Sequence, residues 1–400
     1  MSSVAVAAST TAKVRNGRPS KVSSGNSRSR VGESGILPSS LIVPRCAIVD
    51  PSFPLNATLP RWFRTEAGLW SRSRSDTIEE AMNPKIVLVA PSDAHEPART
   101  MLPSGFDLLI EAAGSPAYAA ALREAEYLVG FVDMLVKESL YQAAPRLRLI
   151  QLLSAGYDRA DIATARRAGV PIANNGGANA VAVAEHALLL MLAVSRRLIW
   201  QHASVSAGRW RGNATPRVHE LRSRTLGIVG LGTIGKKTAR LAAAFGMPVQ
   251  YYDIARLSED AEDALGVRFR LLRELLRTSD IVSLHVPLNP STQGMLGAAE
   301  LALMKPDAIL VNTSRGPVVD EPALHRALSA GAIAGAGLDV FAEEPPPVDN
   351  PLFKLDNVVL SAHLAGPTFE SNIARLRNAF DNVQRVARGE PPLWVIPELG

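Results

Sequence analysis

Short apolar runs recur along the chain from Ile86 onward, and each gives way to small or polar residues and then to helically spaced apolar positions. Ile86–Ala90, Tyr127–Gly130, Leu147–Leu152 and Pro171–Ala173 read as strands, with helical stretches at Pro116–Glu126 and Arg159–Ala168. Strands alternating with helices predict an α/β domain on a parallel sheet. The rhythm returns after residue 225, with strands at Ile281–Val286, Ala308–Asn312, Ala334–Asp339 and Val358–Ser361 and a helix over Glu321–Leu328. Between the two halves the pattern predicts one long helix from Ala180 to about Ala207. Asn179 is its cap, and Ala184, Leu188, Met191 and Leu192 lie on its apolar face. A last helix, Thr368 to about Arg388, is long enough to cross back onto the first domain. The expected architecture is two doubly wound parallel-sheet α/β domains with a cleft between them. Residues 85–179 and 366–400 would form a discontinuous first domain and 180–365 the second, with 1–84 outside both.

The most informative stretch is Thr225–Gly235. A β-branched apolar run enters Gly230-Leu231-Gly232-Thr233-Ile234-Gly235, a helical pattern leaves it, and a second apolar run, Val249–Tyr252, ends in Asp253. Strand, G-x-G-x-x-G turn, helix, strand and acid form a dinucleotide-binding unit. Gly230 permits the tight turn. Gly232 lets backbone approach a pyrophosphate, and Gly235 lets the helix pack close to the strand. The pyrophosphate would sit at the positive end of the helix. Asp253, 18 positions after Gly235, is placed to accept hydrogen bonds from ribose hydroxyls. A carboxylate there favours NAD over NADP. Arg256 is the open point: it is either a solvated loop charge or a receiver for the 2′-phosphate of NADP.

Composition adds bounds. Hydrophobic residues make up 47% of the 400 and charged residues 20%, the balance of a soluble globular chain. No apolar run approaches the ~18 residues that span a bilayer. Cys46 is the only cysteine, so no intrachain disulfide or cysteine metal site exists, and the chain suits a reducing compartment. The net charge of +5 resides in residues 1–84, which hold eleven Lys/Arg against six Asp/Glu. The remainder is balanced and gives no reason to expect nucleic-acid or membrane binding. Residues 1–84 are rich in Ser, Arg, Pro and Ala, lack a sustained period and are expected to be disordered. Three readings stay open for them: a disordered tail, a targeting peptide or an over-long reading of the start codon. The first 32 residues carry no acid, as in an organellar transit peptide, whereas Met82 stands directly before the first predicted strand.

Three further groups follow strands. Ser154-Ala155-Gly156 is either an ordinary turn or a cradle of backbone N–H groups for a carboxylate. Arg315, in Asn312-Thr313-Ser314-Arg315-Gly316, is either a surface charge or a bidentate group for a 2-oxo acid. His363, 19 residues after Glu344, is either structural or half of an acid–base pair that moves a hydroxyl proton during hydride transfer.

With these motifs the chain resembles the D-isomer-specific 2-hydroxyacid dehydrogenases, from about Ile86 to about Pro391. The resemblance is carried by Ser154-Ala155-Gly156-Tyr157-Asp158, by Asn179 through Val183-Ala184-Glu185-His186, and by Gly230–Gly235 with Asp253. It is also carried by Asp280-Ile281-Val282-Ser283-Leu284-His285-Val286-Pro287, Asn312–Asp320, Gly337-Leu338-Asp339-Val340-Phe341 and His363-Leu364-Ala365-Gly366. It implies a Rossmann NAD-binding domain and a flavodoxin-like substrate domain. It implies that Arg315 binds the substrate carboxylate and carbonyl, that His363 is the acid–base and that Glu344, rather than Glu343, is its partner. Backbone at Ser154, Ala155 and Gly156 would hold the carboxylate. The cofactor set it implies is Gly230, Gly232, Thr233, Ile234, Gly235, Asp253, Val286, Pro287, Thr313, Asp339, His363 and Gly366. Asp339 would orient the nicotinamide carboxamide and Pro287 would lie near the adenine. The helix from Ala180, over 180–210, resembles the family's dimer-forming segment, so a homodimer is implied.

Three departures narrow the resemblance. The formate branch carries Gln where this chain has Glu344. About 37 residues follow His363, too few for the regulatory domain of the longer phosphoglycerate enzymes. Ala362 replaces the Pro that often precedes the histidine. The expected function is therefore reversible, NAD-dependent interconversion of a small D-2-hydroxy acid and its 2-oxo acid, such as glyoxylate, hydroxypyruvate or a phosphoglycerate-like acid, with no metal. The expected location is the cytoplasm, or an organelle if residues 1–32 are a transit peptide. The rival is an NAD(H)-sensing, corepressor-like interaction protein of the same fold, with residues 1–84 as a partner-binding arm.

Overall fold

A computed structural model describes residues 83–212 and 215–400. Every expectation for the extension up to Met82 lies outside these residues.

The first sheet contains β1 (Lys85–Val89), β2 (Asp107–Ile110), β3 (Ala125–Gly130), β4 (Leu149–Leu152) and β5 (Ile172–Ala173). All pairs are parallel, in the order β2-β1-β3-β4-β5. This is the flavodoxin-like order. The second sheet contains β6 (Leu226–Val229), β7 (Val249–Tyr252), β8 (Val267–Phe269), β9 (Ile281–Leu284), β10 (Ile309–Asn312), β11 (Gly335–Leu338) and β12 (Val358–Leu360). It too is wholly parallel, ordered β12-β11-β10-β9-β6-β7-β8, and its first six strands in sequence have the Rossmann arrangement. Central strands β4, β6, β9 and β10 are buried along their whole length. Helices cover both faces of a parallel sheet, so its strands are runs of Leu, Ile and Val rather than alternating ones.

Helix Phe369–Ala387 packs on the first sheet. Its Leu376, Ala379, Phe380 and Val383 share a core with Ile86, Leu88, Tyr127 and Leu149. A buried amide network fixes the helix: Asn382 donates to the Gln151 side chain at 2.7 Å and to the Leu393 carbonyl at 2.8 Å. Helix Ala180–Ser195 packs instead on the second sheet, through Leu188, Leu190, Met191 and Val194 against Leu226, Ile228 and Val311.

The structure differs from the sequence reading in three places. The long helix predicted to run to about Ala207 is two helices, Ala180–Ser195 and Leu198–Ser206, broken at Arg197 with φ 51°. Apolar spacing continues across the break, which holds neither Gly nor Pro, so the pattern does not reveal it. Asn179 stands at the cap position but makes no capping bond; its Oδ1 accepts from Asn175 at 3.2 Å. Strands β2 and β8 were not expected. Both are short sheet edges, too short to show a period.

Candidate active site

The sequence-predicted residues gather at the carboxyl ends of parallel strands, where open α/β sheets bind ligands. Gly230 follows β6 with φ +94°, and a Cβ there would stand 2.8 Å from the His285 carbonyl. At Gly235 a Cβ would collide with the Gly230 carbonyl oxygen, so the helix could not sit against β6. Gly232 caps helix Thr233–Ala244, with nothing within 4 Å of its Cβ position. Thr233 and Ile234 open that helix, and backbone at Gly232 is free to approach a ligand.

Asp253 follows β7. Its Oδ2 accepts the Leu231 N–H at 2.6 Å and its Oδ1 the Ala255 N–H at 3.0 Å, so the carboxylate also braces the glycine turn. Arg256 is committed elsewhere. Its Nε donates to buried Glu262 at 2.9 Å, and its guanidinium lies 5.3 Å from the Phe269 ring centre. Val286 and Pro287 follow β9, with Val286 beside Gly230. Thr313 follows β10, and its Oγ1 is buried without a partner. An orphaned buried hydroxyl, an open helix start and a carboxylate along one sheet edge suit a dinucleotide.

Across the cleft, Ser154 follows β4 and donates from Oγ to the Gly156 carbonyl at 2.8 Å. Among the described residues, the N–H groups of Ala155 and Gly156 have no acceptor. Arg315 reaches this turn from the second sheet. Asn312 shapes its loop, accepting the Ser314 N–H at 3.0 Å and donating to the Arg315 carbonyl at 3.0 Å. Arg315 Nε donates to Asp158 Oδ1 at 3.0 Å, and Nη1 to the Ser314 carbonyl at 2.8 Å. Its Nη2 occupies the space that a Cβ on Gly156 would fill. Two unpaired backbone donors and one edge of a guanidinium thus converge, a set suited to a carboxylate.

His363 Nδ1 lies 2.7 Å from Glu344 Oε2, and Glu344 Oε1 accepts the Phe341 N–H at 3.1 Å. Burial opposes the charge on Glu344. The hydrogen bonds from His363 and Phe341 and the positive charges of His363 and Arg315 outweigh it, so the carboxyl titrates below its ordinary range. His363 is held at φ 54°, a strained region for a side chain with a Cβ, by its N–H to the Asp339 carbonyl at 2.8 Å. Asp339 itself is fully buried, and its carboxylate accepts from Leu364 N–H, Ala365 N–H and Ser361 Oγ at 2.9, 2.9 and 2.6 Å. His186 extends this network to Ser361 Oγ at 2.9 Å. Asp339 therefore holds the loop that carries His363, a role absent from the sequence reading. Gly366 closes the loop, buried against Asn179 and Arg375.

A cavity of about 620 Å³ opens beside the dyad, lined by Phe341, Glu344, Pro345, Phe353, Leu360 and His363 among others. Arg315 lies close enough to the dyad for its positive charge to help lower the Glu344 carboxyl. Sequence reasoning gave Asp158 no role. Its only signal is an acid just past the small-residue turn, and its partner lies 157 residues away.

Comparison with known proteins agrees with this geometry. Residues 188–365 match the family model described as D-isomer specific 2-hydroxyacid dehydrogenase, NAD binding domain. A glyoxylate reductase of Korarchaeum cryptofilum is 42% identical over 282 residues, covering 70% of this chain and 85% of that protein. Among solved structures, a glyoxylate reductase from Paecilomyes thermophila aligns with a TM-score of 0.70 at 30% identity, over 80% of this chain and 99% of that one. A D-lactate dehydrogenase from Aquifex aeolicus, complexed with NAD and lactic acid, aligns with a TM-score of 0.67 at 29% identity, over 76% and 96%. The chain belongs to the D-isomer specific 2-hydroxyacid dehydrogenases, NAD-dependent enzymes that interconvert 2-hydroxy acids and 2-oxo acids.

Proposed function

We propose that the chain reduces a short 2-oxo acid, of the glyoxylate or hydroxypyruvate kind, to the D-2-hydroxy acid, and runs the reverse reaction. The observation that carries this reading is Arg315 lodged against Gly156, beside the free N–H groups of Ala155 and Gly156. NAD(H), when bound, supplies or accepts the hydride at the 2-carbon. Arg315 and the Ser154–Gly156 turn hold the carboxylate and orient the carbonyl. His363 gives a proton to the forming hydroxyl oxygen in reduction and takes it back in oxidation, with Glu344 holding the ring through Nδ1. The nucleotide would lie along Gly230, Gly232, Thr233, Ile234 and Gly235. Asp253 would face its ribose, Val286 and Pro287 its adenine end, and Thr313, Asp339, His363 and Gly366 its nicotinamide end. Residues 180–365 form the nucleotide domain in this reading, and 85–179 with 366–400 the acid-binding domain. The packing of helix Phe369–Ala387 on the first sheet supports the partition.

The test is NADH oxidation with a panel of 2-oxo acids. Turnover supports the enzyme; nucleotide binding without turnover of any acid would favour a nucleotide-sensing interaction protein. We further infer a homodimer through helices Ala180–Ser195 and Leu198–Ser206. They expose Val181, Leu189, Leu198, Ile199 and Val205, an apolar set unusual for solvent. A monomer by light scattering at micromolar concentration would refute it. Among the described residues no helix is long and apolar enough to cross a membrane. The lone Cys46 supports a cytoplasmic setting, which imaging of the tagged full chain tests.

A further inference from the structure

Arg375 is a buried cation that no carboxylate among the described residues balances. It lies near the start of helix Phe369–Ala387 with only 4% of its surface exposed. Nη1 donates to Asn372 Oδ1 at 3.0 Å, the guanidinium stands 5.5 Å from the centre of the Phe131 ring, and Nε has no partner. Burial pulls its pKa down to about 10. A structural guanidinium this deep ordinarily has an acid beside it. Asn372 in turn donates from Nδ2 to Asp93 Oδ2 at 3.3 Å.

Its surroundings place it by the cleft. Phe131 directly follows β3, and Asp93 lies in the loop after β1. A Cβ built on Gly366 would stand 3.0 Å from Arg375 Nη2, and Gly366 is three residues beyond His363. Three residues of extended chain reach at most ~11 Å. The carboxyl ends of two strands and the loop bearing the proton-transfer histidine therefore meet at one unbalanced guanidinium. Gly366 leaves no side chain between its Nη2 edge and that loop.

We infer that Arg375 recognises a second anionic group on the substrate, so that the preferred substrates are 2-oxo acids carrying a distal carboxylate or phosphoryl group. The inference rests on the assignment of Arg315 and His363 above and narrows the proposed 2-oxo acids to dianionic ones, with glyoxylate and hydroxypyruvate as the poorer substrates. Arg315 takes the carboxylate next to the carbonyl, and Arg375 takes the far group. Paired N–H groups on one edge of a guanidinium match either a carboxylate or a phosphoryl oxygen pair. Asn372 and Phe131 orient the group without neutralising it. A monoanionic acid leaves this cation unpaired, whereas a dianionic one pairs it, and sites built around a buried polar group discriminate strongly against ligands that leave it unmet.

The test measures kcat/KM for reduction of glyoxylate, 2-oxosuccinate, 2-oxoglutarate and 3-phosphonooxypyruvate by wild type, Arg375→Lys and Arg375→Met. Wild type should favour at least one dianionic acid over glyoxylate by about tenfold or more. The dicarboxylate and phosphoryl arms identify the far group. The dianion-to-glyoxylate ratio should fall at least about tenfold in Arg375→Met and less in Arg375→Lys. If the Met variant does not fold, the wild-type ratio and the Lys variant decide. Wild type that reduces glyoxylate yet favours no dianionic acid overturns the inference and leaves the proposed reaction standing. No turnover of any acid with NADH or NADPH overturns the proposed reaction and this inference with it.

Discussion

Asp158 and Arg315 lie on different sheets and meet at 3.0 Å, Oδ1 to Nε. The pair joins the turn after β4 to the loop after β10 and leaves Nη2 facing Gly156. Both side chains are partly buried, which screens the pair less than a fully exposed bridge. Asp158 is therefore a positioning residue for Arg315. Asp158→Ala should raise KM for the acid and lower kcat/KM by roughly tenfold to a hundredfold, about 1.4–2.7 kcal/mol. KM for NADH should hold within about twofold, since Asp158 is far from the glycine turn in sequence and sheet. Equal losses for both substrates would point to general loosening of the cleft instead.

Arg315→Lys keeps the charge and removes the fork. A lysine has one ammonium to serve Asp158 and the acid together, where Arg315 divides the tasks between Nε and Nη2. The expected loss is roughly 2–5 kcal/mol of transition-state stabilisation, read from kcat/KM. A Lys variant close to wild type would show that another group holds the carboxylate.

Asp253→Ser should narrow the preference for NADH over NADPH by removing the carboxylate that repels a 2′-phosphate. Arg256 is held through Nε by Glu262, with its guanidinium over the Phe269 ring, which turns it away from a dedicated phosphate role. The same substitution removes the 2.6 Å bond to Leu231 N–H, so KM should rise for both cofactors as the turn loosens. A wild type that already prefers NADPH would reverse the assignment.

The glycine turn was legible because three glycines and an acid at fixed spacing have separate steric reasons. The structure displays those reasons at Gly230 and Gly235 and leaves open space at Gly232. The parallel sheets were legible from runs such as Leu226–Val229, which stay apolar because both faces are covered. What stayed hidden depended on contacts distant in sequence. Asp158 looks like any loop acid until Arg315 arrives from the other sheet. Asp339 reads as a cofactor ligand, and its bonds to Leu364, Ala365 and Ser361 give it a further task in the His363 loop that the sequence did not show. Arg197 breaks the central helix without Gly or Pro to mark it, and Arg375 falls on a helix whose outward pattern gives no hint that the charge is buried.

The last prediction concerns Glu344 and His363, 2.7 Å apart. The carboxylate titrates low because the hydrogen bonds and positive charges around it prevail over its burial, so it remains charged through the neutral range. The charge and hydrogen bond of His363 are among those that lower it, so the carboxylate and a protonated ring attract each other across this bond. Reduction of the carbonyl uses the protonated imidazole, and oxidation of the alcohol uses the neutral one. Glu344→Gln removes the charge and keeps similar shape. The basic limb of kcat/KM for reduction should then move to lower pH, so reduction weakens at neutral pH and partly recovers in acid. The acid limb for oxidation should move the same way, so oxidation persists to lower pH than in wild type. His363→Asn should depress both directions at every pH, because no proton donor or acceptor remains at that position. The measurement is a pair of pH–rate profiles, forward and reverse, for the three proteins, with isotope effects from deuterated NADH to establish that hydride transfer is being read. Limbs that stay in place in Glu344→Gln would mean that the carboxylate only orients the ring through Nδ1. An active His363→Asn enzyme would mean that the proton comes from elsewhere.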